Sequence, residues 1–540
     1  MFSPLRCGLA ATAFALLAGA AQAETHTLLT PVLPDSVAAH AAFAVGKPDP
    51  RQVLHLSIAL PMRNQADMDR LLRDIYDPAS PAYRRYLSVA AFTARFGPTA
   101  ADYEAAAAYF AAAGFTVTGR SANRFILDVT ADIATIERAF HVAMVLYRHP
   151  SENRAFFAPD REPTLDLGVP VLSVSGLDDF TLPTPRALRA ARSDVPRTGS
   201  GPHGYFLGSD IRAAYYPAPK DRPALTGAGQ SVGLFELGAY NPVDITTYFD
   251  RFGPPLTTKV VPISTDGTPA TCSGKCRDGE QALDIEYAIA MAPGLARVRV
   301  YVGSTPESVL NRMASDNSSA QLSTSWGWHR DFAVDDPIFK EMAMQGQTNL
   351  TASGDYSSLK ESGPWPEEDA NIIAVGGTDL VAASPGGPRK DETGWRYSAG
   401  GPSLKKSIKI EPYQLPFINA ANGGSTKLRN VPDIAGDANF NNYECYNLKC
   451  AGGWGGTSFA SPIWAGFMAL ANEQAAKRGD GRIGFLNPIL YPLAGGDRYH
   501  KILHDEIHHR SGLYAAVPGY DLVTGLGSPK GQELIDALAP

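Results

Sequence analysis

Ser458 stands in GGTSFASP, Gly455 to Pro462, where small residues on either side let a serine sit exposed as a buried strand turns into a helix. That placement suits a nucleophile. The run before it, Gly452 to Gly456 with Trp454, lets a backbone come close to a substrate. Phe459 to Leu470 reads as an apolar helix whose N-terminal amides point at the serine. Thr-Ser beside Gly is also an ordinary helix N-cap, so the segment alone leaves capping and catalysis open.

A serine nucleophile needs a base, and the familiar histidine has no obvious candidate. Of the 11 histidines, His26, His40, His55, His141 and His149 precede His203, and none lies in a His-Gly-Thr-His setting. Carboxylates are the alternative. In DGEQALDIEYAIAMAPG, Glu280 and Asp284 stand at i and i+4, sharing one face of a helix expected to end at Pro293-Gly294. Buried together with a shared proton, one carboxylate can take the serine's proton while the other holds and polarises it. The competing reading is a solvated acidic helix face, which Glu286 would extend. Asp355 ends Thr351-Ala352-Ser353-Gly354-Asp355, a segment of small residues with room for substrate. Facing Ser458 from a desolvated pocket, it would keep its proton at low pH and donate to a developing oxyanion. An aspartate in a turn is the commoner setting.

These residues need a scaffold, and 540 residues with 44% hydrophobic content predict two folded units. The first spans 24–185. It shows a strand over His55 to Pro61, a helix around Met68 to Tyr76, then Ala100 to Ala113 as helix before FTVTGRSANRFILDVTAD, and a helix over Ile133 to Phe140. Such alternation predicts an α+β unit with helices on one face of an antiparallel sheet. ALRAARSDVPRTGSGPHG, rich in Arg, Pro, Gly and Ser, predicts an exposed, cleavable linker over 186–203. Residues 204–540 alternate strands and helices, as expected for a mainly parallel sheet covered on both faces.

Arg6, the apolar run Leu9 to Ala20 and the small-residue site Ala21-Gln22-Ala23 predict a signal peptide over 1–23, and hence export. No later stretch has the apolar length of a membrane span. Cys7 leaves with that peptide, and the four other cysteines form two close pairs, Cys272 with Cys276 and Cys445 with Cys450. Two local disulfides are expected; other pairings, or a zinc site built from both pairs, are the alternatives. A net charge of -7 argues against nucleic acid as partner, and no basic cluster or heptad pattern contradicts this; a monomer is expected.

Together these segments resemble the sedolisins, serine-carboxyl peptidases of subtilisin-like α/β fold. Glu280 and Asp284 fall in a Glu-x-x-Leu-Asp helix, Asp355 in a Ser-Gly-Asp segment and Ser458 in Gly-Thr-Ser-x-x-x-Pro, in the family's order. SVGLFELGAY (Ser231 to Tyr240), STSWGW (Ser323 to Trp328) and RNVPDIAGDA (Arg429 to Ala438) are similar to the family's core segments. The resemblance implies Ser458 as nucleophile, Glu280 as general base and acid, Asp284 as the carboxylate positioning it, and Asp355 as oxyanion donor. It also implies that Glu236 and Trp326 extend the hydrogen-bonded row. An ionised Glu beside a protonated Asp requires acid, in a window of roughly pH 3 to 5 unless burial raises both groups. Pro81 to Thr99 is similar to the family's activation propeptide, with a ferredoxin-like antiparallel sheet, which assists folding and acts as an intramolecular inhibitor. A stable accessory domain is the other possibility.

Near the C-terminus, His504 to Pro529 resembles the family's calcium site. It implies one structural Ca2+ held by carboxylates of Asp505 and Asp521 and carbonyls of Glu506, Val517 and Gly519. Two departures stand out: Asp505-Glu506-Ile507 is followed by His508-His509-Arg510, and Tyr356-Ser357 follows Asp355 where the family tends to keep Gly two residues on. His504, His508 and His509 also suggest a transition metal, though adjacent histidines rarely converge on one ion. The expected activity is a secreted, self-processing acid endopeptidase acting on proteins or peptides. The rivals are a tripeptidyl-peptidase of the same family, an α/β-hydrolase using Asp505 and His508, and an exported binding protein without turnover. Phe459-Ala460 after Ser458 disfavours the hydrolase, whose nucleophile turn wants Gly.

Overall fold

The computed structural model describes residues 25–189, 197–328, 332–362 and 366–540. The expected signal peptide, with Cys7, lies outside the described residues. In chain order, β1 (Val53–Ala59), α1 (Gln65–Tyr76), α2 (Ala100–Ala112), β2 (Thr116–Arg120), β3 (Ile126–Asp132), α3 (Ile133–Phe140) and β4 (Ser173–Ser175) build the first unit. Thr99 and Asp132 start α2 and α3 as N-caps, accepting from the amides of Asp102 and Thr135. The sheet runs β2-β3-β1-β4, antiparallel throughout. Strand alternation divides its faces. Leu127 and Val129 pack with Phe110, Ile136 and Phe140 beneath α2 and α3. Ile126 and Phe125 turn the other way, into a shared core with Leu310, Met313, Ile338 and Phe339 of the second unit. The segment Pro81 to Thr99 reinforces this contact: Tyr86 Oη donates to the Ile483 carbonyl (2.7 Å), Arg84 to the Arg482 carbonyl (2.9 Å), and Leu87 N to Met344 O (2.8 Å).

The second unit contains β5 (Ser231–Glu236), β6 (Lys259–Ser264), α4 (Gly279–Met291), β7 (Arg297–Val302), α5 (Pro306–Asp316), β8 (Gln321–Thr324), α6 (Phe332–Met344), β9 (Thr348–Ala352), β10 (Ile373–Ala382), β11 (Arg389–Gly394), β12 (Ile434–Asp437), β13 (Asn442–Tyr446), β14 (Lys449–Gly455) and α7 (Thr457–Arg478). Its main sheet runs β6-β7-β5-β8-β9-β10-β11, with β12 also on β10. Every pairing is parallel except β10 with β11. Both faces are covered, which is why strands such as Gln321–Thr324 and Thr348–Ala352 are buried at every position. Ligand sites in such sheets form beyond the carboxyl ends of the strands. Glu236 ends β5, Ser325 follows β8 and Asp355 follows β9.

Helix α7 is longer than the expected Phe459 to Leu470. The helix formers Ala471 to Arg478 continue it until Gly479, whose φ of 83° provides a left-handed C-cap. Apolar on all sides and buried as far as Ala475, it runs through the centre against α4, β8, β9 and β12.

The expectation of an exposed stretch over 186–203 is corrected at its start, whereas Arg197, Ser200 and His203 toward its other end are exposed. Arg186 is buried, and Arg189 pairs with Trp454. Toward the other end, Ser200 N donates to Asp210 and Ala382 N to Thr198 Oγ1. Residues too polar to build a core can still be held by backbone hydrogen bonds, which composition does not register. The acidic-face reading of α4 is also corrected: from Glu280 to Met291 every residue of the helix is buried.

Candidate active site

Ser458 is the second residue of α7 and is wholly buried. Pro462 lies four residues on and has no N–H, so the Ser458 carbonyl lacks its helical donor. The Ser325 hydroxyl fills that place at 3.3 Å and also lies 2.8 Å from Asp284 Oδ1, tying the serine's backbone to the acid row.

The row is built from α4 and β5. Glu280 Oε2 accepts from Ala187 N (3.0 Å), while Oε1 has no hydrogen-bond partner. Ser458 Oγ makes no hydrogen bond of good geometry, yet it is close enough to Glu280 to stabilise its charged form. Asp284, wholly buried, lies beside Glu236 within hydrogen-bonding reach, and Glu236 Oε2 accepts from Trp326 Nε1 at 3.0 Å. Burial is the main cause holding Glu280, Asp284 and Glu236 well above the usual carboxylate range. The charge of Asp284 pushes Glu280 up further, and that of Glu236 does the same to Asp284. Carboxylates this close and this dry cannot all ionise, so protons bridge the row.

Asp355 reaches the site from the opposite side. Its Oδ1 accepts from both Thr457 N and Thr457 Oγ1 at 2.8 Å, and Oδ2 has no partner. Burial raises its carboxyl to about 7 against the pull of the Thr457 donors, so the proton belongs on Oδ2. Gly456 sets the fit of this corner. Its φ is 140°, and a Cβ there would lie 2.5 Å from Asp355 Oδ2 and 2.6 Å from the Arg186 carbonyl oxygen. The departure at Ser357 does not alter the backbone demand: Ser357 adopts φ 69°, held by its N–H to the Tyr397 carbonyl and its hydroxyl to the Arg396 carbonyl.

Ser458, Glu280, Asp284, Asp355, Glu236 and Trp326 are therefore brought to one place. Sequence reasoning missed Ser325, Thr457 and the chain from Thr184 to Arg189 that fills the cleft. STSWGW held the only signal for Ser325, a serine placed where a parallel strand ends.

The other expected sites are separate. Cys272–Cys276 and Cys445–Cys450 are disulfides, so the zinc alternative falls. Asp505 accepts from Gly519 N (3.2 and 3.0 Å) and Asp521 Oδ2 from Val517 N (3.1 Å), closing both carboxylates on the turn 517–521. The carbonyls of Glu506, Val517 and Gly519 accept no hydrogen bond among the described residues, so the donor set is all oxygen and fits calcium chemistry. The Glu506 side chain goes instead to Arg389, at 2.8 and 3.0 Å. No group of three or more His, Cys, Asp or Glu is placed to hold a metal among the described residues, which removes the histidine alternative.

Comparison with known proteins places the chain in a family. Residues 41–180 match the family described as Pro-kumamolisin, activation domain. The chain is 30% identical to kumamolisin of Bacillus sp. (strain MN-32) over 502 residues, 85% of this chain and 87% of that protein. It is 26% identical to sedolisin of Pseudomonas sp. (strain 101) over 94% of this chain and 90% of that one, and 25% identical to rat tripeptidyl-peptidase 1 over 92% and 93%. Its fold matches the solved Pseudomonas sedolisin with a TM-score of 0.52 at 24% identity, covering 61% of this chain and 96% of that one. The chain belongs to the kumamolisin and sedolisin family of serine-carboxyl peptidases, with that family's activation propeptide at its N-terminal side.

Proposed function

We propose that this serine peptidase is a secreted, acid-active endopeptidase made as a self-processing zymogen. A signal peptide over 1–23, a propeptide over 24–185, a cleavable segment over 186–203 and a peptidase unit over 204–540 make up the precursor. Among the described residues no helix is long and apolar enough to cross a membrane.

The observation that carries the reading is the convergence of Glu280 and Asp355 on one peptide unit, with Ala187 N on Glu280, the Arg186 carbonyl sharing the flank of Gly456 with Asp355, and Ser458 close to Glu280. Ser458 attacks a carbonyl carbon, and Glu280 takes its proton. Asp284, fixed by Ser325, keeps Glu280 oriented and shares the row's protons with Glu236. The oxyanion develops against the α7 N-terminus and the protonated Oδ2 of Asp355. Glu280 then returns the proton to the leaving nitrogen, and water hydrolyses the acyl-enzyme. Asp355 loses its donor proton as pH rises through about 7, and activity falls with it. Because burial raises Glu280 as well, the window shifts upward from the values expected of free carboxyls. A bound Ca2+ on Asp505, Asp521 and the carbonyls of Glu506, Val517 and Gly519 would brace the turn 517–521.

A chain runs through the cleft on both sides of the serine: Thr184–Pro185 pair with Trp326–Gly327, and Leu188–Arg189 with Trp454–Gly455. This occupancy supports the propeptide as inhibitor. The test is digestion of an unfolded protein at about pH 4 by the purified chain beside Ser458→Ala and Glu280→Ala. The parent is expected to shorten and to digest, and both variants to stay full-length and inert. Full activity in either variant contradicts the assignment.

A further inference from the structure

The segment leaving the propeptide lies in the cleft as a substrate strand would. Upstream, Thr184 pairs with Gly327 and Pro185 with Trp326, both antiparallel, and Arg186 N donates to the Ser325 carbonyl at 3.1 Å. Downstream, Leu188 pairs with Gly455 and Arg189 with Trp454. Main-chain pairing of this kind holds any extended peptide in register, and selectivity then falls to side-chain pockets. The register sets one bond at the chemistry. The Arg186 carbonyl oxygen shares the bare flank of Gly456 with Asp355 Oδ2, and the amide across that bond, Ala187 N, reaches Glu280 Oε2 at 3.0 Å.

The Arg186 side chain is itself in a made-to-measure place. It is 2% exposed, and its Nη2 lies 3.6 Å from Oε1 of Glu367, which is wholly buried. A Cβ at Gly327 would collide with the guanidinium, so the missing side chain there is what makes the space. A buried carboxylate at the end of a pocket attracts a guanidinium more strongly than a neutral side chain.

We propose that Arg186–Ala187 is the bond this peptidase cuts to free itself, and that Glu367 and Gly327 make the mature enzyme select arginine before the scissile bond. The inference rests on the serine-carboxyl reading above. In the cut, Ser458 Oγ bonds to the Arg186 carbonyl carbon and its proton passes to Glu280. The bond from that carbon to Ala187 N breaks, and Ala187 N takes the proton from Glu280. Water then hydrolyses the ester, restoring the serine and leaving Arg186 with a new carboxyl group. Above neutral pH an ionised Asp355 would face the Arg186 carbonyl oxygen, which keeps the precursor intact until it meets acid.

The test uses the full chain brought to about pH 4, sampled early and read by mass spectrometry and N-terminal sequencing. The first new N-terminus is expected at Ala187, with Arg186→Leu slowing that cut about tenfold or more. The mature enzyme is then given peptide pairs differing only before the scissile bond. kcat/KM is expected to be at least about tenfold higher for Arg than for Leu, with Lys between them, and Glu367→Gln to bring the ratio toward one. The ratio in the unmodified enzyme stands even if Glu367→Gln fails to fold. A first cut at another bond overturns the assignment of the bond, and an Arg-to-Leu ratio near one overturns the selectivity. In both cases digestion in acid leaves the serine-carboxyl reading in place. A chain that neither shortens nor digests in acid overturns that reading and this inference with it.

Discussion

The helix Gly279–Met291 and its entry turn carry two pairs of buried carboxylates that do opposite things. Asp278 and Glu286 engage both oxygens with backbone amides: Asp278 accepts from Asn241 N (2.9 Å) and Asn447 N (3.0 Å), and Glu286 from Cys445 N (3.2 and 3.3 Å). Glu280 and Asp284 each take one donor, Ala187 N and Ser325 Oγ, and each keeps a second buried oxygen without one. Burial raises Glu286 as it raises Glu280, so an elevated carboxyl does not by itself mark a catalytic group. The difference lies in the partners. Amides that cannot move make a carboxylate a cross-link between strands, whereas an oxygen without a donor, next to a serine, can accept a proton and give it back.

Substitutions on the two pairs separate these roles. Glu280→Ala is expected to have the largest effect, a loss of about a thousandfold or more in kcat measured on a trans-processed chain, with the folded state retained by circular dichroism. Asp355→Asn, on the facing wall, is expected to lower kcat by about 10²–10³-fold and to abolish the alkaline fall near pH 7 from whatever activity remains. Glu286→Gln should reverse the pattern. Replacing one of the two oxygens that face Cys445 N with an amide NH2 costs roughly 1–3 kcal/mol in denaturant unfolding, while kcat/KM of the folded enzyme stays at the parent's value. Trp326→Phe is expected to be mildest, a few-fold change in rate. Because Trp326 donation lowers Glu236, its removal raises Glu236 further, the row becomes fully protonated at a higher pH, and the acid limb of the rate profile moves upward.

The side chains proposed to be catalytic were legible because their types and short spacings survive without a structure: Glu280 and Asp284 at i and i+4, Asp355 after Gly354, Ser458 between Gly456 and Pro462. The two layers of the fold were legible from alternation, as with Ile126 and Leu127 turning to opposite cores. What composition concealed was made by backbone. Arg186 to Arg189 looked like solvent-facing linker because nothing in its residue types announces strand addition. The role of Ser325 depends on Pro462 lacking an N–H more than a hundred positions away. Glu367 reads as one more acid until folding puts it beneath an arginine.

The most direct test of a carboxylate-driven serine is the dependence of kcat/KM on pH for the processed enzyme, between about pH 3 and pH 9. The account predicts activity on the acid side that declines as pH rises through about 7, where Asp355 ionises. Activity that instead grows between about pH 6 and pH 8, following the deprotonation of a histidine, would contradict it.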